Sequence, residues 1–198
     1  NADNGILFVL DKGKGVLNIK GMYGVDWLDP EKYLIRVGHG AVGKVAMSGQ
    51  PVIQNDLKDL GIKKGKPITA ILCVPLKVKD EVIGVISVAH GRAGKIFTSV
   101  EQKLLSTLAG QAAVALENAR LYQETKKMFL SIIDALTATI DAKDPYTHGH
   151  SRRVTEYGMA IAEAIGATPE FIETVKLAGL LHDVGKIGIS ESILKKVD

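Results

Sequence analysis

The chain has 198 residues, 46% hydrophobic and 24% charged, the proportions of a globular protein of one or two domains with enough apolar material for a core. Its net charge is +3 and its basic residues are scattered; the longest basic runs, such as Lys63-Lys64 and Lys195-Lys196, are too short for a phosphate-tracking stripe, so no nucleic-acid partner is expected. Cys73 is the sole cysteine, so no internal disulfide forms and a reducing, cytoplasmic compartment is expected; no apolar run reaches the roughly 18 residues of a membrane span.

The stretch up to about Ala89 reads as strands. Gly5 to Leu10 is a short apolar run, Lys12-Gly13-Lys14-Gly15 is turn chemistry, and Val16 to Lys20 is its partner strand. The glycine-punctuated segment from His39 to Ala46 predicts a short helix, and Val52-Ile53 a brief strand. Ala70 to Val78 and Val82 to Ala89 predict a hairpin turning at Lys79-Asp80-Glu81. Leu72, Val74, Leu76 and Val78 then share one face, and Gly84 permits close packing in the second strand.

After Phe97 the period changes. Thr98 followed by Glu101 is a capping box. Leu105, Leu108, Ala112, Ala115, Ala119, Tyr122, Phe129, Ile133, Leu136 and Ile140 then recur at strides of three and four, interrupted only at Lys126. Such a register predicts a coiled-coil-like connector helix over about 99–142. Two core helices joined by a charged linker at Glu124–Lys127 are the alternative. Beyond Pro145 the pattern is helical: one helix from about His148 to Ile165, stopped by Gly166, and a second capped by Thr168 with Pro169 and Glu170 in its first turn. That second helix is expected to carry His182-Asp183 in its last turn and to end at Gly185. Ser190 caps a further short helix. Both ends of the chain are expected to be cut from something longer.

Several segments of the first part resemble the GAF family. They are Gly40 to Ala46, Gly49-Gln50-Pro51-Val52-Ile53, Ile71 to Leu76, Val82 to Ile86, and the helix from Phe97-Thr98 through Leu116-Glu117-Asn118-Ala119-Arg120-Leu121-Tyr122. The resemblance implies an antiparallel sheet flanked by helices over residues 1–123, lacking its N-terminal helix. It also implies a small-molecule ligand of unknown identity and dimerisation through terminal helices. Cys73 is expected in the core, His39 and His90 at exposed turns, and Trp27 and Tyr23 as packing or pocket residues.

In the second part, imidazole and carboxylate at His182-Asp183 suit a divalent zinc, iron or manganese ion, and the carbonyl end of a helix favours a cation. His150 opens an earlier helix from which it can reach the same centre, and Lys186 follows as a partner for phosphate or hydroxide. The strings Asp141-Ala142-Lys143-Asp144-Pro145-Tyr146-Thr147, Gly149-His150-Ser151-Arg152-Arg153-Val154 and Leu180-Leu181-His182-Asp183-Val184-Gly185-Lys186-Ile187-Gly188-Ile189 resemble the HD-GYP subgroup of HD phosphohydrolases. This implies a partial HD-GYP domain over 124–198 and an α+β chain: an antiparallel-sheet domain, a long helix and an all-α segment.

By this resemblance the longer protein hydrolyses cyclic di-GMP with two metal ions, Fe, Mn or Zn, which activate water for in-line attack on phosphorus. His150, His182 and Asp183 are the implied metal ligands, with Asp183 bridging. Asp183 and Lys186 are the implied catalytic residues, Lys186 facing the scissile phosphate or the attacking hydroxide. Tyr146 stands where some members carry a glutamate, which argues against a third ion. Asp141 and Asp144 are read as loop-ordering groups, and His148 as a solvated helix start. The family's later histidines, final aspartate and Gly-Tyr-Pro loop are not in this sequence. Three ligands cannot fill two coordination spheres, so residues 1–198 are expected to be inactive and weak or partial in metal binding. Two other readings stand: a non-catalytic, homodimeric sensor module relaying signal through the connector, and a different HD phosphohydrolase acting on nucleotides.

Overall fold

The computed structural model describes residues 2–26, 28–55, 57, 68–91, 94–143 and 149–194. The chain divides into two compact units, Asn1–Arg120 and Leu121–Asp198. In the first, strands β1 (Asn4–Asp11), β2 (Val16–Tyr23), β3 (Leu34–Arg36), β4 (Val52–Gln54), β5 (Ala70–Val78) and β6 (Glu81–His90) form one sheet of order β3-β2-β1-β6-β5-β4. Every pairing is antiparallel.

Period-two alternation in β5 sorts its side chains onto two cores. Leu72, Val74 and Leu76 face the long helix α2 (Ser99–Lys143), where they meet Phe97, Ala109 and Ala113. Ile71 and Cys73 face the other way, toward helix α1 (Gly40–Ser48), in a core with Phe8, Leu17 and Val45. The predicted hairpin forms with a tighter turn than expected, since Glu81 already pairs with Val78 and Lys79 takes a positive φ of 55°. Gly84 is required there: a Cβ would lie 2.3 Å from the Phe8 carbonyl oxygen.

Other expectations meet different outcomes. His90 is not at an exposed turn. It is 6% exposed at the end of β6, with Nδ1 3.7 Å from Asp3 Oδ2 and its ring stacked on Phe97 at 4.4 Å. Asp3 and Phe97 are remote in sequence, so local pattern cannot announce this burial. Tyr23 is 74% exposed, while Trp27 lies outside the described residues. Strand β3 was not anticipated, because three residues on a sheet edge are too few to show alternation.

Helix α2 begins as its capping box predicts. Thr98 Oγ1 accepts from the Val100 amide at 3.3 Å, and Glu101 accepts from the Thr98 amide at 2.9 Å. The helix is continuous across the predicted linker. Its heptad positions separate into two rows. Leu105 and Ala112 pack on the sheet of the first unit, and Ile133 and Ile140 are buried in the second. The other row, Leu108, Ala115, Tyr122, Phe129 and Leu136, recurs at every seventh residue and is exposed throughout.

The second unit contains α3 (His150–Ala164), α4 (Pro169–Leu181), a 3-10 turn (Val184–Gly188) and α5 (Glu191–Leu194). Gly166 ends α3 with φ 72°, its amide bonded to the Glu163 carbonyl, the left-handed stop glycine permits. Thr168 caps α4, accepting from the Phe171 amide at 3.3 Å, with Pro169 at its first position.

Candidate metal centre

Helices α3 and α4 form a hairpin about Gly166, so the start of α3 lies beside the end of α4. His150 and His182 are equidistant from Gly166 in sequence. Small residues set the closeness of the helices. A Cβ on Gly179 would meet Thr155 Oγ1 at 2.6 Å and Thr155 Cα at 2.9 Å, and one on Gly158 would meet Val175 Cγ1 at 3.1 Å. Ser151 and Thr155, both buried, are tied by a hydrogen bond from Thr155 Oγ1 to the Ser151 carbonyl at 2.7 Å. Asp141 fixes the entry to α3, accepting from the Gly149 amide at 2.9 Å and from Ser151 Oγ at 3.2 Å. The loop around Pro145 that it is expected to order lies outside the described residues. Asp144, Tyr146 and His148 lie outside the described residues. Thr137 Oγ1 donates to the Leu180 carbonyl at 3.1 Å, satisfying one of the orphan acceptors at the end of α4.

The end of α4 differs from expectation. The α-helix stops at Leu181, before Gly185, and His182 and Asp183 form the junction with the 3-10 turn that carries Lys186. His182 keeps helical dihedrals as the C-cap of α4, and Asp183 follows as the N-cap of the 3-10 turn. His150, His182 and Asp183 each present one donor atom within 4.8 Å of the others. The two imidazoles meet edge to face, with centroids 5.4 Å apart.

The hydrogen bonds decide which atoms are available. His182 Nδ1 lies 2.8 Å from the Gly179 carbonyl. A carbonyl only accepts, so Nδ1 carries the proton. In the neutral ring, Nε2 then presents its lone pair 3.3 Å from Asp183 Oδ2, another acceptor. Two lone pairs converging at this distance repel unless a cation or a proton lies between them, so the donor set fits a divalent ion of the kind bound by imidazole and carboxylate. Lys186 Nζ approaches the same carboxylate at 2.9 Å. That hydrogen bond holds the Asp183 carboxyl below the usual carboxylate range against a smaller opposing effect of desolvation. The Asp183 charge is therefore present at neutral pH.

The family description "GAF domain" matches residues 1–117, and the description "HD domain" matches residues 147–198. The chain belongs to the GAF domain family. Its GAF unit is similar in fold to the GAF domain of a phosphoenolpyruvate-protein phosphotransferase from Coxiella burnetii, with a TM-score of 0.56 at 21% identity, covering 62% of this chain and 76% of that one. It is likewise similar to the GAF-B domain of DevS from Mycobacterium smegmatis, with a TM-score of 0.53 at 25% identity, covering 63% and 86%.

Among curated proteins, 3′3′-cGAMP-specific phosphodiesterase 3 of Vibrio cholerae is 35% identical over 99 residues, 50% of this chain and 20% of that protein. A cyclic di-GMP phosphodiesterase of Thermotoga maritima is 27% identical over 112 residues, 56% and 30% of the two chains. Another cyclic di-GMP phosphodiesterase, from Vibrio cholerae, is 29% identical over 165 residues, 75% and 33%. The chain thus spans a fifth to a third of the length of these relatives. Among the described residues no helix is long and apolar enough to cross a membrane.

Proposed function

We propose that this chain is part of a GAF-regulated, metal-dependent phosphodiesterase of HD-GYP type that hydrolyses cyclic di-GMP in the cytoplasm. The observation that carries this reading is the convergence of His150, His182 and Asp183 within 4.8 Å, with Lys186 on the same carboxylate. The names of the relatives support the substrate class. His150 Nδ1 or Nε2, His182 Nε2 and an Asp183 oxygen hold a divalent ion of Fe, Mn or Zn, and a second ion completes the centre in the longer protein.

Bound there, the metal supplies Lewis acidity toward a phosphoryl oxygen and a low-pKa water. The Gly179 carbonyl keeps the His182 ring in the tautomer and orientation that leave Nε2 free. Asp183 would supply the negative charge that a divalent ion needs there. Lys186 compensates that charge and offers its ammonium to a phosphate oxygen, a point charge suited to a phosphodiester. The three side-chain donors that converge among the described residues seat one ion at most, so residues 1–198 alone are catalytically silent. In the longer protein, Asp183→Asn reduces cyclic di-GMP hydrolysis by about 100-fold or more, a change on the scale of a disrupted metal centre. Unchanged turnover by that variant removes the reading.

A second reading, a homodimeric relay module, is favoured by one observation of its own. Leu108, Ala115, Tyr122, Phe129 and Leu136 form an unbroken seven-residue row of exposed apolar side chains on α2, the pattern of a coiled-coil contact. The two readings are compatible: paired α2 helices couple sensor to phosphodiesterase. Replacing both Tyr122 and Phe129 with Glu converts a dimer to a monomer in light scattering; an unchanged mass excludes this face as the contact.

A further inference from the structure

Both histidines of the metal seat are held from the same neighbour. Asp141, in the last turn of α2, brackets His150. One carboxylate oxygen accepts from the Gly149 amide at 2.9 Å and the other from Ser151 Oγ at 3.2 Å. Gly149 is the N-cap of α3 and has no side chain with which to cap it, so the opening of α3 is fixed from α2 instead. One helical turn earlier, Thr137 Oγ1 donates to the Leu180 carbonyl at 3.1 Å. The adjoining carbonyl, that of Gly179, orients the His182 ring through Nδ1 at 2.8 Å. Residues 137 and 141 are four apart and therefore share one face of the helix.

Packing alone does not explain these polar groups. The inner face of α2 is otherwise apolar here, with Ile133 and Ile140 buried and Thr137 only 6% exposed between them. Valine has nearly the shape of threonine and buries no polar group, so a well-filled interface does not call for a hydroxyl. What the hydroxyl does is hold the Leu180 carbonyl, one of the acceptors left over at the end of α4. Ser151, buried as well, directs its hydroxyl proton to Asp141. Lys126 offers a contrast. Its Nζ lies 2.7 Å from a Glu173 oxygen, a pair that also joins α2 to α4. That pair is exposed, however, and sits in the first half of α4, away from the end that leads into His182.

We propose that Asp141 and Thr137 are positioning residues of the metal centre, two prongs on one face of α2 that set the spacing of His150 and His182. Each acts on the backbone beside a histidine, and neither belongs to the converging donor set. The connector helix is thereby part of the scaffold of the site, and a turn of α2 about its axis displaces both histidine-bearing segments together. That regulatory consequence rests on the phosphodiesterase reading. The positioning itself concerns the two rings, with or without an ion.

The test reads the rings directly. In the metal-free 198-residue chain, nuclear Overhauser contacts between the His150 and His182 rings report their edge-to-face approach, 5.4 Å between centroids. These contacts are expected to be lost in Asp141→Ala and in Thr137→Val. Asp141→Asn keeps an acceptor for the Gly149 amide and a donor for the Ser151 oxygen, and Thr137→Ser keeps the hydroxyl, so both should recover them. Cobalt(II) affinity is expected to follow the same order, falling about tenfold or more in the two disruptive variants, with altered ligand-field bands. Lys126→Ala should leave ring contacts and cobalt binding unchanged. Thr137→Val is nearly isosteric and decides the matter where Asp141→Ala fails to fold. Ring contacts absent from the unsubstituted chain, retained in Thr137→Val and Asp141→Ala, or lost equally in Lys126→Ala overturn the proposal. A chain that binds no cobalt sinks the metal reading instead, and the ring contacts still decide this one.

Discussion

Cys73 illustrates how one buried side chain carries a measurable pH dependence. It is fully buried between Ile71 and the α1 side of the sheet, and burial pushes its thiol from the ordinary 9.0 up to about 11, opposed weakly by the Ser87 hydroxyl. The unfolded chain loses this proton first, so the neutral thiol favours the fold below pH 9 and that contribution is lost as pH rises toward 11. The difference corresponds to roughly 3 kcal/mol. Urea unfolding at pH 7 and pH 11 should show a loss near this size in the native chain that is absent in Cys73→Ala; equal pH dependence in both would refute it. Gly179 acts through space rather than charge. Gly179→Ala forces a methyl into Thr155, and overpacking of this kind costs about 1–3 kcal/mol. Denaturant unfolding of the second unit checks that figure, and the variant should also weaken metal binding, since the displaced α4 leads directly into His182.

At the scale of elements, local chemistry and tertiary chemistry are legible to different degrees. The β5–β6 hairpin was readable because alternation at period two continues for its whole length, and the starts of α2 and α4 because Thr98 and Thr168 are capping residues followed by Glu101 and Pro169. Thr98→Ala should cost about 1 kcal/mol, measured by thermal unfolding. His90 was misread because its burial depends on Asp3 and Phe97 rather than on neighbours. The end of α4 was misread because Gly185 signals a stop, yet the helix gives way to the 3-10 turn just after Leu181, and no residue type marks that change. The α2 register was legible as a repeat, but not as two rows with different duties; that division depends on which units the helix packs against. One inserted residue beside Lys126 rotates everything beyond it by about 100°. On the proposed function, the insertion should alter the phosphodiesterase activity of the longer protein, assayed by cyclic di-GMP turnover. Unaltered activity would mean that α2 transmits nothing.

For the molecule as a whole, the site was legible as residue identities and hidden as geometry. His150, His182, Asp183 and Lys186 were nominated by motif strings, whereas the reason that they meet lies in a hairpin closed by Gly158 and Gly179, neither of which announces itself in sequence. The Gly179 carbonyl that fixes the His182 tautomer is equally silent there. The account therefore depends on one property of the chain: that these three donors act as one cation seat. Cobalt(II) titration of the chain, followed by absorption of the bound ion, tests this most directly. One ion per chain is predicted, with visible ligand-field bands that weaken together with affinity, by about tenfold or more, in each of His150→Ala, His182→Ala and Asp183→Ala. Binding and spectrum indifferent to all three substitutions would contradict it.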